Sequence, residues 1–252
     1  MTSSPSLKVP ALVVARHGST RLEGKLLRTI GSCTVLEHLL ARLRTSRSCE
    51  PVLCTTTESS DDPLVALAEA FGYRVFRGDA NDVPARLLAA ARECRAAFVV
   101  VVESDEVFTD AEIIDEIVER YRRAPADCVR VVGVPLGYWS MGLRTDAIER
   151  LCAGRPAGAV DGWGRFLEAP RFTVESFSPG LDTADPESIR LTLDYPEDLE
   201  LIRAIHARLD RAGEPFTISA ALRILAAEPE LLDINRSCVE RYGRNLAQAA
   251  GA

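Results

Sequence analysis

The feature that most restricts the fold is a repeated alternation of short apolar runs and amphipathic stretches in the first half of the chain. Ala11–Ala15 and Ala97–Val102 are unbroken apolar runs, and Pro51–Thr55 and Tyr73–Phe76 read as strands beside them. An unbroken run indicates a strand covered on both faces, because a strand with one wet face alternates apolar and polar residues. Between the runs lie helices. Leu36, Leu39, Leu40 and Leu43 recur at helical spacing within Thr34–Ser46, with Thr34 placed to cap them. Further helices are expected from Pro63, over Val83–Cys94 and over Asp110–Arg122. Consecutive strand–helix units of this kind predict an α/β fold, with a mainly parallel sheet, helices on both faces and right-handed crossovers. Ligands bind such sheets at the carboxyl ends of the strands, so the loops 16–24, 55–62, 77–82 and 103–110 should share one edge.

Beyond a strand at Cys128–Val134 the pattern weakens. Residues 135–185 read as an irregular, glycine-bearing segment holding Trp139 and Trp163, with one helix near Thr145–Cys152, suited to a second substrate. Regularity returns with a strand at Arg190–Leu193 and a helix from Asp194-Tyr195-Pro196-Glu197-Asp198 to about Ala212. Short helices are expected at Ser219–Ala227 and Pro229–Asp233, with a frayed tail after Tyr242. No Ser/Gly/Pro-rich linker divides the 252 residues, so residues 1–252 read as one domain.

A net charge of −7 argues against a general nucleic-acid or membrane-surface binder, and no run approaches the length of a membrane span. Residues 1–10 lack the apolar stretch of a signal peptide. Seven scattered cysteines without CxxC spacing suit a reducing compartment, so the expectation is a cytoplasmic protein with neither a disulfide framework nor a zinc site. Any basic site must then be local.

One basic site is evident. After the first strand the chain carries Arg16, His17, Gly18, Ser19, Arg21, Gly24 and Lys25, a loop with glycines for close backbone approach and cations for an anionic ligand. Lys25 is one of only two lysines among 30 basic residues, a compact point charge kept where arginine is otherwise used. The loop fits a phosphate ligand, although a solvated basic loop would look similar. Asp105 follows the most apolar strand and Asp194 a later one, both at the ligand edge, where a carboxylate can share Mg²⁺ with phosphates. The plainer reading of Asp194 is an acid at a helix N-terminus. Glu103 and Glu106 flank Asp105, and three carboxylates this close repel unless a cation joins them. Of the three histidines only His17 lies in the loop. No Ser-His-Asp order, nucleophile elbow, Walker lysine loop or GxGxxG fingerprint occurs.

The run Ala15-Arg16-His17-Gly18-Ser19-Thr20-Arg21-Leu22-Glu23-Gly24-Lys25 resembles the "ARxGSTRLPGK" loop of the CMP-sugar synthetases, in particular the spore-coat polysaccharide cytidylyltransferase branch, with the 3-deoxy-manno-octulosonate cytidylyltransferases as cousins. Val35-Leu36-Glu37-His38, Asp61-Asp62-Pro63-Leu64 and Val75-Phe76-Arg77-Gly78 with Asp82-Val83 and Arg86 are similar to "MLEH", "DDP" and "VFRG…DDVLDR" of that branch. Arg190-Leu191-Thr192-Leu193-Asp194-Tyr195-Pro196-Glu197-Asp198-Leu199-Glu200 is close to "RWTVDYPEDLE". The resemblance covers residues 10–125 and 188–205.

The resemblance implies a Rossmann-like, glycosyltransferase-A-like nucleotidyltransferase in which an acceptor hydroxyl attacks the α-phosphate of CTP and pyrophosphate leaves. It implies nucleotide contacts from Ala15, Arg16, Gly18, Ser19, Arg21, Lys25, Asp82 and Arg86. Arg16 and Lys25 would be catalytic, Asp105 and Asp194 catalytic and Mg²⁺-binding, with Arg86 and the Asp82 neighbourhood at the base pocket. It further implies a small acidic acceptor, a role in polysaccharide biosynthesis and a homodimer through the central segment, for which Tyr138, Trp139 and Trp163 would supply exposed aromatic surface.

Departures matter too. Ser104-Asp105-Glu106-Val107-Phe108-Thr109-Asp110 stands where the family writes "GDCPLID", and Glu23 replaces the loop proline, bringing an acid among the cations. The acidic residues of the family's "GLDVEVF" are missing from Gly137–Leu143, so the acceptor pocket should differ. The competing expectations are a catalytically lapsed nucleotide- or partner-binding relative, and a nucleotide-sugar-dependent glycosyltransferase of the same fold, which lacks support from any Asp-x-Asp motif.

Overall fold

The first apolar run forms strand β1 (Val9–Val14), and its side chains divide between the two faces of a sheet. Ala11 and Val13 enter one core, Leu12 and Val14 the other. This two-sided burial is the reason that the run shows no polar alternation. The computed structural model describes residues 8–154 and 162–250, with side-chain surroundings up to Arg244. The segment 1–7, which holds most of the stretch read as lacking an export signal, and 155–161 of the central segment lie outside the described residues.

A small antiparallel hairpin, β2 (Thr29–Ile30) and β3 (Cys33–Thr34), leads into α1 (Val35–Leu43). Thr34 caps α1 as its sequence suggests: its Oγ1 accepts from Glu37 N at 3.2 Å, while the Glu37 carboxylate accepts from Thr34 N. There follow β4 (Cys49–Thr56), α2 (Asp62–Ala70), β5 (Arg74–Gly78), α3 (Val83–Glu93), β6 (Phe98–Glu103), α4 (Ala111–Arg123) and β7 (Cys128–Val131). Then come β8 (Ser140–Arg144), α5 (Thr145–Gly154), β9 (Val174–Phe177), α6 (Pro196–Ala212), α7 (Ile218–Ala227) and α8 (Arg236–Ala250). The seven-stranded sheet runs β5-β4-β1-β6-β8-β7-β9. β1, β4, β5 and β6 are mutually parallel, as are β7 and β9, while β8 alone runs against its neighbours β6 and β7. Helices α1, α4, α6 and α7 pack on one face, α3 and α5 on the other. The mainly parallel sheet with helices on both faces is therefore observed.

Three sequence expectations need correction. The segment 135–185 is less irregular than it reads, since β8 and β9 both join the central sheet. β8 escapes notice because Gly142 interrupts its pattern. A Cβ there would lie 2.2 Å from Phe98 Cζ and 2.6 Å from Ile117 Cγ2, so only glycine lets the strand pack under α4. Residues 190–193 are extended but make a single bridge, Leu136 to Arg190, instead of a strand. They run between two turns, with Leu191 N donating to Leu136 O at 2.5 Å and Leu193 N to Asp105 O at 3.0 Å. The tail beyond Tyr242 continues as helix to Ala250, anchored where Asn235 Nδ2 donates to Arg190 O at 3.1 Å and to Asp198 Oδ1 at 2.9 Å.

Among the described glycines, Gly137 comes closest to another stretch of backbone. At φ +125° its absent Cβ would stand 2.3 Å from the Leu191 carbonyl carbon. Gly137→Ala must push the 133–139 turn away from the segment that carries Asp194, and a loss of about 3 kcal/mol in urea unfolding is expected; an unchanged midpoint would show that the approach is not required.

Asp115 closes the turn between α1 and β4, accepting from Ser46 Oγ at 2.5 Å, Arg47 N at 3.1 Å and Ser48 N at 2.9 Å. Burial alone would raise its carboxyl pKa, but these donors hold it below the ordinary value of 3.8. A depressed native pKa stabilises the fold above the unfolded value, and that stabilisation disappears as pH falls through the native one. Asp115→Asn should cost about 2 kcal/mol at neutral pH and flatten the loss of stability below pH ~4, read by urea titrations across pH.

Candidate active site

The carboxyl ends of β1, β6 and β7 open onto a cleft of about 1080 Å³, large enough for a nucleotide and a second small molecule. Ala15, Arg16, Gly18, Ser19, Arg21 and Lys25 line it from the loop after β1. Asp61 holds this loop in place. Its Oδ1 accepts from His17 N at 2.7 Å, and its Oδ2 from Thr55 Oγ1 at 2.8 Å, Thr56 N at 3.1 Å and Thr56 Oγ1 at 2.5 Å. The start of the loop is thereby fastened to the end of β4. The His17 ring turns under Gly24, where a Cβ would meet its Nε2 at 3.3 Å, and does not line the cleft. Glu23 is exposed and also stays off the cleft wall, so the acid that replaces the loop proline does not enter the cation set.

Gly24, at φ +60°, ends the loop and starts a short 3₁₀ turn, Lys25–Leu27, that sends the Lys25 side chain inward. Its Nζ donates to Asp105 Oδ2 at 2.8 Å, Leu193 O at 2.9 Å and Asp194 Oδ1 at 3.3 Å. Asp105 comes from the turn after β6 and Asp194 from the residues before α6, so one ammonium joins three separate stretches of chain. Burial by itself would lower the Lys25 pKa, but Asp105 and Asp194 outweigh it and raise it. Asp194 is engaged on both oxygens: Oδ1 also accepts from Arg21 at 2.5 Å, and Oδ2 from Arg190 at 3.1 Å. Burial would raise its pKa, and Lys25, Arg21 and Arg190 hold it below the ordinary carboxylate range.

Arg190 forms the support behind Asp194. It pairs with both oxygens of Asp198 at 3.0 and 2.9 Å, and its guanidinium lies between the rings of Tyr195 and Tyr242, 5.6 and 4.9 Å from their centroids. Asp198 Oδ2 also accepts the backbone N–H groups of Asp194 and Tyr195 at 3.0 Å each. Asp194 itself is thus not the acid that caps α6; Asp198 supplies that function from within the helix.

The acidic run 103–106 separates into three environments. Glu106, also on the cleft lining, accepts from Gly137 N at 2.7 Å and Trp139 N at 2.8 Å, bracing the 133–139 turn. Glu103 lines the cleft, and burial together with Asp105 pushes its carboxyl up to about 8. Only Asp105 faces Lys25. Arg86, 1% exposed, lines the cleft from α3 and donates to Asp79 O at 2.6 Å. Asp82 caps α3 by accepting from Ala85 N at 2.8 Å and lies outside the cleft lining. The structure thus assembles every residue singled out from the sequence as a nucleotide or metal contact, with Asp82 apart.

Trp139, Met141, Trp163 and Arg165 also line the cleft, within the 135–185 segment that reads as suited to a second substrate, while Arg130 and Tyr242 on the same lining were missed by sequence reasoning. Tyr138 and Trp163 are buried within this chain, and Tyr138 donates its hydroxyl to Asp110 at 3.1 Å. They supply no exposed aromatic face of the kind expected for a dimer contact. Tyr242 carried no signal at all, since it stands in what reads as a tail and reaches the cleft only through the docking of α8. Among the described residues no group of three or more His, Cys, Asp or Glu side chains forms a metal centre, and no helix is long and apolar enough to cross a membrane.

With this geometry in hand, comparison with known proteins is direct. The family model described as Cytidylyltransferase matches residues 11–151. The chain is 28% identical over 232 residues to the spore coat polysaccharide biosynthesis protein SpsF of Bacillus subtilis, covering 83% of this chain and 90% of that protein. It is 31% identical over 115 residues to the 3-deoxy-manno-octulosonate cytidylyltransferase of Geotalea daltonii, 44% of each chain. The solved structure of a cytidylyltransferase from Leptospira borgpetersenii superposes with a TM-score of 0.78 at 24% identity, over 90% of this chain and 97% of that one. The matched span begins in β1 and takes in the basic loop after it, Arg86 and Asp105, and on this ground the chain belongs to the cytidylyltransferase family.

Proposed function

We propose that the protein transfers CMP from CTP to a hydroxyl of a small acidic sugar or similar acid, releasing pyrophosphate. The observation that carries this reading is the Lys25 ammonium, which links the β1 loop to Asp105 and Asp194 at the mouth of the cleft. A triphosphate on the loop would lie against Arg16, Ser19, Arg21 and Lys25, with exposed N–H groups around Gly18 available to its oxygens. The acceptor oxygen then forms its bond to the α-phosphorus as the bond to the β-phosphate oxygen breaks, with the hydroxyl proton released to solvent. The same cations offset the charge that develops on departing pyrophosphate, and because they are preorganised they cost little reorganisation. No covalent intermediate on the protein is needed.

Two carboxylates converging on one cation position, with phosphate oxygens to complete the set, suit a hard oxygen-seeking ion. Asp105 and Asp194 would hold Mg²⁺, which when bound polarises the α-phosphate and orients it toward the acceptor. Arg86, buried at the cleft wall beside Val83, would shape the base pocket. The acceptor would occupy the wall of Trp139, Trp163, Arg130 and Arg165, whose mixture of indole faces and guanidinium groups suits an acid with an apolar side. The names of the relatives in spore-coat polysaccharide and octulosonate chemistry support an acid of the sugar class.

Pyrophosphate release from CTP, UTP, ATP and GTP with Mg²⁺, across a panel of acidic sugars and phosphonates, tests the reading. Release with CTP and one acceptor, lost in Asp105→Ala, is the expected result; no CTP binding at all would refute it. Lys25→Ala should lower kcat/KM about 10²- to 10³-fold, the usual effect of removing one preorganised charge-stabilising donor. Tyr242→Phe should raise the acceptor KM by up to about tenfold with CTP affinity unchanged, the loss of one hydrogen bond on the acceptor side.

A further inference from the structure

We propose that Lys25 acts as a resident placeholder cation. Its ammonium occupies the position between Asp105 and Asp194 that a divalent ion would take, and it withdraws only when a triphosphate draws it away. The inference rests on the cytidylyltransferase reading and adds an order of binding to it: metal enters with or after the nucleotide, never before.

The argument is one of donors, acceptors and charge. An ammonium has three N–H donors, and those of Lys25 are used in full by Asp105 Oδ2, Leu193 O and Asp194 Oδ1. Both oxygens of Asp194 are already engaged by cations, Oδ1 by Arg21 as well as Lys25 and Oδ2 by Arg190. A divalent ion of the Mg²⁺ class needs a carboxylate oxygen from each residue at about 2.1 Å, and the ammonium, 2.8 Å from Asp105 Oδ2 and 3.3 Å from Asp194 Oδ1, stands in the space between them that such an ion would fill. It would also approach three positive side chains gathered on one carboxylate. The arrangement is stable by itself, since two facing carboxylates without a cation would repel each other in a largely buried setting.

A triphosphate changes this balance. It brings several negative charges to the loop that carries both Arg21 and Lys25, and it offers these two side chains acceptors outside the carboxylate pair. Lys25 reaches the pair through a four-carbon chain with freely rotating bonds, so a change of rotamer suffices to move its charge. Arg190 has no such freedom, being held by Asp198 and enclosed by Tyr195 and Tyr242. It therefore keeps Asp194 in place while Oδ1 is vacated. The division of labour is specific: Lys25 and Arg21 leave, Arg190 stays.

Mn²⁺ is the probe, followed by the loss of its free-ion electron paramagnetic resonance signal on binding to the full chain. Nucleotide-free wild type should bind Mn²⁺ at least about tenfold more weakly than the same protein with a non-hydrolysable α,β-methylene analogue of CTP. Nucleotide-free Lys25→Met should bind Mn²⁺ about tenfold more tightly than wild type, and Asp105→Asn should abolish that gain. Arg21→Ala, which removes an exposed partner and spares the core, should give a smaller gain in the same direction and guards against misfolding of the Lys25 variant. Equal Mn²⁺ affinity in wild type and both variants without nucleotide would overturn the placeholder role. Failure of the CTP analogue to bind, measured calorimetrically, would overturn the cytidylyltransferase reading instead, while the nucleotide-free comparison still decides the fate of Lys25.

Discussion

Lys25 is 9% exposed and stands where three lengths of chain meet: the loop after β1, the turn after β6 and the extended segment before α6. A buried ammonium is tolerable only with its donors satisfied and opposite charge nearby, and here both conditions are met by groups remote in sequence. The consequences spread outward. Asp194 must be held on its far side, which Arg190 does; Arg190 must be held in turn, which Asp198, Tyr195, Asn235 and Tyr242 do. The carboxyl-terminal helix is thereby drawn into the wall of the cleft, although it lies well outside the segment that matches the family model.

The sheet supplies the rigid frame for this junction. Because β1 and β6 are paired in parallel, with Val14 opposite Glu103, their carboxyl ends deliver the basic loop and the Asp105 turn side by side. Asp61 then fastens the loop to β4, and Glu106 fastens the 133–139 turn to β6. Carboxylates thus take two kinds of position around the cleft. Those that accept several backbone or hydroxyl donors brace the chain, and those that pair directly with Lys25 lie on the cleft lining. Glu106 and Asp105 are adjacent in sequence and belong to different kinds.

Two glycines decide how closely the irregular half can approach this frame. Gly142 allows β8 to slide beneath Phe98 and Ile117, and Gly137 allows the preceding turn to touch the Leu191 backbone. Both lie in the stretch that reads as irregular, and both are there because the packing is tight. Glycine in such a stretch marks close approach as readily as it marks a loop, and nothing in the local pattern tells the two apart.

The sequence by itself determined the alternating α/β core, the edge where the cleft opens, the basic loop after β1 and the two aspartates that meet it, because each of these is written in local patterns: unbroken apolar runs, helical spacing and short motifs. It also carried Arg190, but within a motif and without its role. Only the tertiary structure decided that Lys25 bridges the aspartates, that residues 190–193 are a strut and not a strand, and that Tyr242 belongs to the cleft. These depend on contacts between residues far apart in the chain, such as Lys25 with Asp194 or Arg190 with Tyr242, and no periodicity encodes a distance of that kind.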